Sequence, residues 1–119
     1  MRDFRELRVW ANAHELTLSV YRVTASFPRD EIYGLTSQLR RGATSVPANI
    51  AEGNGRGTDA EMARFLQIAL GSATEVEYYF LLARDLEYLD ESAYEELTAA
   101  VTDVKRMLTG FIQSLQSAD

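Results

Sequence analysis

The chain has 119 residues, 46% of them hydrophobic and 25% charged, a length that fits one domain with a single apolar core. It contains no cysteine, which excludes disulfides, thiolate zinc sites and a cysteine nucleophile and suits a reducing, cytoplasmic compartment. The formal charge of -6 is unevenly spread, with a net +2 in residues 1–57 and a net -8 in residues 58–119, so any anion-seeking surface is expected in the first half.

The opening residues, MRDFRELRVW, lack the apolar run of a signal peptide, and no stretch approaches the roughly 18 uninterrupted apolar residues of a membrane span. A soluble protein with no membrane partner is expected. Val9, Ala13, Leu16, Val20, Val23 and Phe27 form one helical seam, and Leu7, Trp10, His14, Leu18 and Tyr21 a neighbouring one. A first helix is therefore predicted near residues 3–26, closed by Phe27 and Pro28. His14 is the only histidine, too few for the paired Glu-x-x-His motifs of a metal site in a bundle core. It is read as a partly buried or interface residue, not a ligand.

The second segment, residues 33–56, contains RRGATSVPANIAEGNGR from Arg40 to Arg56. At about 100° per residue, Leu35, Leu39, Ala43, Val46, Ile50 and Gly53 share an arc of roughly 80°, which is a core face. Gln38, Arg41, Ser45, Asn49, Glu52 and Arg56 share a second arc of similar width, as one continuous helix requires. Pro47 opposes that continuity, because an interior proline removes a backbone hydrogen bond and costs about 3 kcal/mol; a bend is expected there. Arg40 falls on the side of Thr44, Pro47 and Ala51, so the two adjacent arginines should point in different directions. The polar arc reads either as an exposed face or as a hydrogen-bonded seam for a second subunit or partner. Arg40, Arg41 and Arg56 are the candidates for contact with an anion.

Gly53, Gly55 and Gly57 suggest a phosphate loop, but a dinucleotide fingerprint needs a preceding strand and G-x-G-x-x-G, and a P-loop needs G-K-[ST]. Neither is present. The expected role is a helix C-terminal cap and a tight turn.

Met62, Leu66, Ala69, Ala73, Val76, Phe80 and Ala83 make the stripe of a third helix near residues 59–88, widened by Phe65, Ile68, Tyr79, Leu82 and Leu86. Tyr94, Leu97, Val101, Val104, Leu108, Phe111 and Leu115 make that of a fourth near residues 92–116. Thr58 with Glu61, and Ser92 with Glu95, fit the S/T-x-x-E capping box. Short connections between long helices favour antiparallel neighbours, so the fold class is all-α: an antiparallel up-down-up-down four-helix bundle, a single domain over residues 1–119. Carboxylate pairs such as Glu75 and Glu77, or Glu95 and Glu96, imply no cleft, and no nucleophile, base and oxyanion donor converge. Neither catalysis nor a cofactor or metal is expected.

Phe4, Leu7, Val9 and Trp10, then Phe27-Pro28, Tyr33-Gly34-Leu35-Thr36-Ser37-Gln38-Leu39-Arg40-Arg41 and Ser45-Val46-Pro47-Ala48-Asn49-Ile50-Ala51-Glu52-Gly53 resemble bacterial four-helix-bundle proteins named after 23S rRNA intervening sequences. The similarity continues through Phe65-Leu66-Gln67-Ile68-Ala69 and Gly71-Ser72, while Gly42 and Val46 replace the more usual alanine and isoleucine. The resemblance implies a cytosolic, non-enzymatic bundle assembled into a closed ring of five protomers. It also implies a distant likeness to the accessory protein of diversity-generating retroelements, a basic pentamer that partners a reverse transcriptase and nucleic acid. The leading expectation is thus a homo-oligomeric scaffold that recruits a protein partner. The alternative is an accessory protein binding RNA or single-stranded DNA, with a reverse transcriptase as partner. Net acidity disfavours the alternative, because five copies at -6 each repel a polyanion unless Arg40, Arg41 and Arg56 focus the field locally.

Overall fold

In the computed structural model, which describes residues 2–117, a 3-10 turn at Phe4–Glu6 leads into α1 (Arg8–Thr24). A second 3-10 turn at Arg29–Glu31 precedes α2 (Leu35–Arg56), which is followed by α3 (Asp59–Asp85) and α4 (Glu91–Gln116). Helices α1 and α3 each pack on both α2 and α4, while the diagonal pairs do not meet. Gly57 and Thr58 alone separate α2 from α3. This is the expected all-α four-helix bundle, elongated at 48 × 22 × 20 Å. No described helix is long and apolar enough to cross a membrane.

The predicted core faces of α2 and α3 are the observed ones, whereas on α4 Ile112 is buried and the expected Tyr94, Phe111 and Leu115 are only partly buried against the core, as is Val23 of α1. All six residues of the apolar arc on α2 are buried, as are the seven of the main stripe on α3. The widened edge of α3 is different: Phe65 is buried, but Ile68 and Leu86 are exposed, because α3 has helical neighbours on only two sides. Helices α2 and α3 approach so closely that a Cβ on Gly42 would lie 2.9 Å from Val76 Cγ2, and one on Gly53 would lie 2.8 Å from Phe65 Cβ.

Several ends depart from the periodic pattern. The first segment is two pieces, because the Asp3 carboxylate accepts from the Arg5 amide at 2.9 Å and Leu7 is extended before α1 begins. Helix α1 stops at Thr24, since Pro28 disfavours helical backbone at Phe27 and the chain tightens into i+3 bonds from Ser26 N to Val23 O and from Phe27 N to Thr24 O. Helix α3 ends at Asp85, short of residue 88. There Glu87 adopts a left-handed φ of 65°, and the Tyr88 and Leu89 amides turn back to Ala83 O, which lets Leu89 enter the core.

Capping follows local chemistry with one correction. Thr58 Oγ1 accepts from the Glu61 amide at 3.2 Å, as predicted, and Gly57 takes the left-handed C-cap of α2 with φ 87°. Ser92 is not the cap of α4: Asp90 is, its carboxylate accepting from the Ala93 amide at 2.8 Å. A carboxylate there also meets the positive end of the helix dipole. Helix α2 runs through Pro47 without interruption, so the expected bend does not break the element.

Candidate assembly and anion-contact surface

The polar arc of α2 lies along its flank beside α3, and most of it is engaged within the chain. Gln38 Oε1 accepts from the Tyr79 hydroxyl at 3.0 Å. That hydroxyl is pushed above its ordinary pKa by burial and then by nearby Glu75, which keeps it a donor. Ser45 and Ser72 share a hydroxyl–hydroxyl bond of 2.9 Å. Asn49 turns back along its own helix, donating to Ser45 O at 2.8 Å and Ser45 Oγ at 3.0 Å. Glu52 pairs with Arg56 at 2.8 Å, one helical turn on. Small hydroxyls in the middle of the flank permit the close α2–α3 approach, and the longer groups lie at its ends.

The three candidate anion contacts diverge. Arg40 turns towards α1, where its Nε donates to Thr24 Oγ1 at 2.8 Å and its Nη2 reaches Tyr21 O at 3.5 Å. Its guanidinium also lies 4.7 Å from the centroid of the Tyr21 ring. It thus serves the C-terminal, electronegative end of α1. Arg56 stacks over Phe65 at 5.0 Å and is neutralised by Glu52. Arg64 covers the same ring at 4.5 Å and pairs with Glu61, whose carboxyl is held below its ordinary range first by the hydrogen bond from Arg64. Arg41 alone of the three candidates is exposed with no hydrogen bond or ion pair among the described residues. The structure therefore leaves Arg56 apart from the other two, while Arg40 and Arg41 border one cleft beside α1.

Other features were not legible as site residues. Tyr21, Ile32, Tyr33, Tyr78 and Leu86 are exposed apolar side chains, Tyr33 at 95%. Four of them sit at or beside the bundle end where α1 and α3 finish. At that end Glu31, in the α1–α2 connection, accepts from the Leu35 amide at 3.0 Å and from the Tyr88 hydroxyl at 2.8 Å. It therefore caps α2, which has no capping side chain at Gly34, and ties together two connections. The sequence signal was present only as an acidic residue just before a helix start. His14 stacks on Trp10 with ring centroids 5.0 Å apart and planes 7° from parallel. No cluster of three or more metal-ligating side chains occurs among the described residues.

The family model described as 23S rRNA-intervening sequence protein matches residues 5–110. No curated protein matches the chain. A solved structure of a protein of unknown function from the S23 ribosomal protein family, from Bacteroides thetaiotaomicron, is similar with a TM-score of 0.82 at 25% identity. The match covers 88% of this chain and 95% of that one.

Proposed function

This chain belongs to the 23S rRNA-intervening sequence protein family, and from that premise we propose that it acts as a non-enzymatic, self-assembling helical scaffold, a ring of five copies whose outer faces recruit a protein partner. The observation that carries this reading is the partition of uncompensated charge. All four cations of residues 58–119 are ion-paired: Arg64 with Glu61, Arg84 with Asp85, Lys105 with Glu77 and Arg106 with Asp103. Among the described residues of the α1–α2 side, Arg2, Arg8, Arg22, Arg29, Arg40 and Arg41 have no carboxylate within ion-pair reach and outnumber the unpaired Glu6, Glu15, Asp30 and Glu31, whereas on the α3–α4 side Asp59, Glu75, Glu87, Asp90, Glu91, Glu95 and Glu96 pair with no cation.

The two sides of one protomer are therefore complementary to each other across a head-to-tail contact. Complementary potentials steer encounter and fix register. A heterologous contact of this kind repeats around an axis and closes into a ring when the rotation allows. The exposed Ile68 and Tyr78 on α3 add apolar area. Native mass spectrometry at micromolar concentration tests the reading: a pentamer that dissociates as salt rises is expected, and a monomer at low salt would sink it. Asn49 and Glu52 replaced together by alanine should weaken the assembly more than the helix content. An unchanged native mass would make that arc an ordinary wet face.

A nucleic-acid accessory role is the second reading, favoured by the unpaired Arg29 and Arg41. Titration of RNA and single-stranded DNA against salt should then give a negative log–log slope, and no binding at low salt would end that reading.

A further inference from the structure

Two adjoining clefts meet where α1 ends and α2 begins. The larger, of about 520 Å³, is lined by residues including Tyr21, Thr36, Ser37, Arg40 and Arg41. The smaller includes Thr24 and Arg29, and both clefts share Ile32, Thr36 and Arg40. Thr36 is therefore the polar residue at their junction with the shortest side chain.

Three threonines are buried: Thr17, Thr24 and Thr36. The hydroxyls of the first two donate to backbone carbonyls, whereas Thr36, only 5% exposed, makes no side-chain hydrogen bond with the described residues. Among those residues, only the Thr98 hydroxyl is both sealed from solvent and unpartnered. The Thr36 hydroxyl consequently opens on the clefts that its residue lines. A hydroxyl that solvent reaches and no protein group engages is free to donate to a ligand in the cleft.

Its surroundings are rich in donors. The Leu35 amide is taken by Glu31 and the Gln38 amide by Gly34 O. The Thr36 and Ser37 amides, at the second and third positions of a 22-residue helix, find no acceptor among the described residues. Arg29, Arg40 and Arg41 border the clefts, and none has a carboxylate within ion-pair distance among the described residues. Arg40 is held in place by Thr24 and Tyr21. The adjacent carboxylate of Glu31 is turned to Leu35 and Tyr88 and lines neither cleft.

We propose that this junction binds the phosphoryl group of a small ligand, with the Thr36 and Ser37 amides and hydroxyls donating to its oxygens and Arg29, Arg40 and Arg41 balancing its charge. A tetrahedral dianion uses donors from several directions, as a helix N-terminus flanked by hydroxyls and guanidiniums provides. The larger cleft exceeds one phosphate group, and Tyr21 and Ile32 leave apolar wall for an organic body. Inorganic phosphate and a phosphate monoester share this chemistry. The site is complete within one protomer and does not depend on assembly.

Isothermal titration of the full chain with inorganic phosphate, and separately with adenosine monophosphate, tests it. At least one should bind, with affinity lowered about tenfold in Thr36→Val and in Arg41→Gln and unchanged in Arg64→Gln at the far end of the bundle. Tighter binding of the nucleotide identifies the monoester as the ligand, and equal affinity identifies the phosphoryl group alone. No binding of either probe at tens of millimolar, or binding that both Thr36→Val and Arg41→Gln leave unchanged, overturns the proposal. Ser37→Ala carries the same test should Thr36→Val fail to fold.

Discussion

The hydroxyl of Thr17 on α1 lies 3.0 Å from the carbonyl oxygen of Ala43 on α2, and that carbonyl is the one whose helical partner would be the amide of residue 47. Pro47 has no N–H to offer. Ala43 is fully buried, so water cannot make up the loss, and the neighbouring helix does. The same hydroxyl lies 2.9 Å from Ala13 O, so its one proton is shared between a carbonyl of its own helix and one across the interface. A proline at which the sequence predicts a bend is thereby accommodated inside an unbroken helix.

Thr17→Val keeps the shape of the side chain but strands the Ala43 carbonyl, and should cost about 1–3 kcal/mol in urea unfolding. In a Pro47→Ala background the restored amide satisfies that carbonyl, so the same change should cost less. A double-mutant cycle reads the difference. Equal costs in both backgrounds would show that the hydroxyl does not compensate for the proline.

Glycine substitutions should split by sign. Gly42→Ala and Gly53→Ala push a methyl against Val76 and Phe65 and should destabilise by about 1–3 kcal/mol through overpacking. A Cβ at Gly71 or Gly110 meets nothing within 4 Å, and both lie inside helices. Alanine there should stabilise by about 0.5–1 kcal/mol. The shift in denaturation midpoint at constant slope distinguishes the two groups, provided it is measured at matched oligomeric state.

Glu31 should make stability depend on pH. The Leu35 amide, and after it the Tyr88 hydroxyl, hold its carboxyl below the ordinary 4.5. Its contribution is therefore present above pH 4.5 and lost as pH falls through the lower folded value. Tyr88 is raised above its ordinary 10.0, first by the bond to Glu31, so its contribution is present below pH 10 and lost as pH rises through the higher folded value. Glu31→Gln should flatten both limbs of a stability profile from pH 2 to 11 relative to wild type. An unchanged acid limb would remove Glu31 from the account.

Adjacent arginines should behave oppositely. Arg40→Ala removes the bond to Thr24 and the cover on Tyr21, and should cost about 1.5 kcal/mol or more. Arg41→Ala removes no partner among the described residues and should leave protomer stability within about 0.5 kcal/mol. Thermal unfolding of the two variants side by side checks this.

Much of the bundle was legible because helical phase is local. Leu35, Leu39, Ala43, Val46, Ile50 and Gly53 all fall on one face of any helix that contains them, and once that helix docks they are buried together. That Arg40 turns to α1 while Arg41 stays exposed follows from the same phase. What phase does not carry is the identity of the neighbour. The arc from Gln38 to Arg56 was visible as a stripe, but its engagement with Tyr79 and Ser72 depends on α3 lying on that side.

The amino-acid sequence by itself determined the number of helices, their core faces, the Thr58 cap and the glycine turn at Gly57, because each depends on residues within a turn or two of one another. Only the tertiary structure decided what becomes of Pro47, how α2 is capped, and where the unpartnered Thr36 hydroxyl opens. Thr17 and Ala43 are 26 residues apart and Glu31 and Tyr88 are 57 apart. Hydrogen bonds act over about 3 Å, so partners so distant along the chain are chosen by which helices pack side by side.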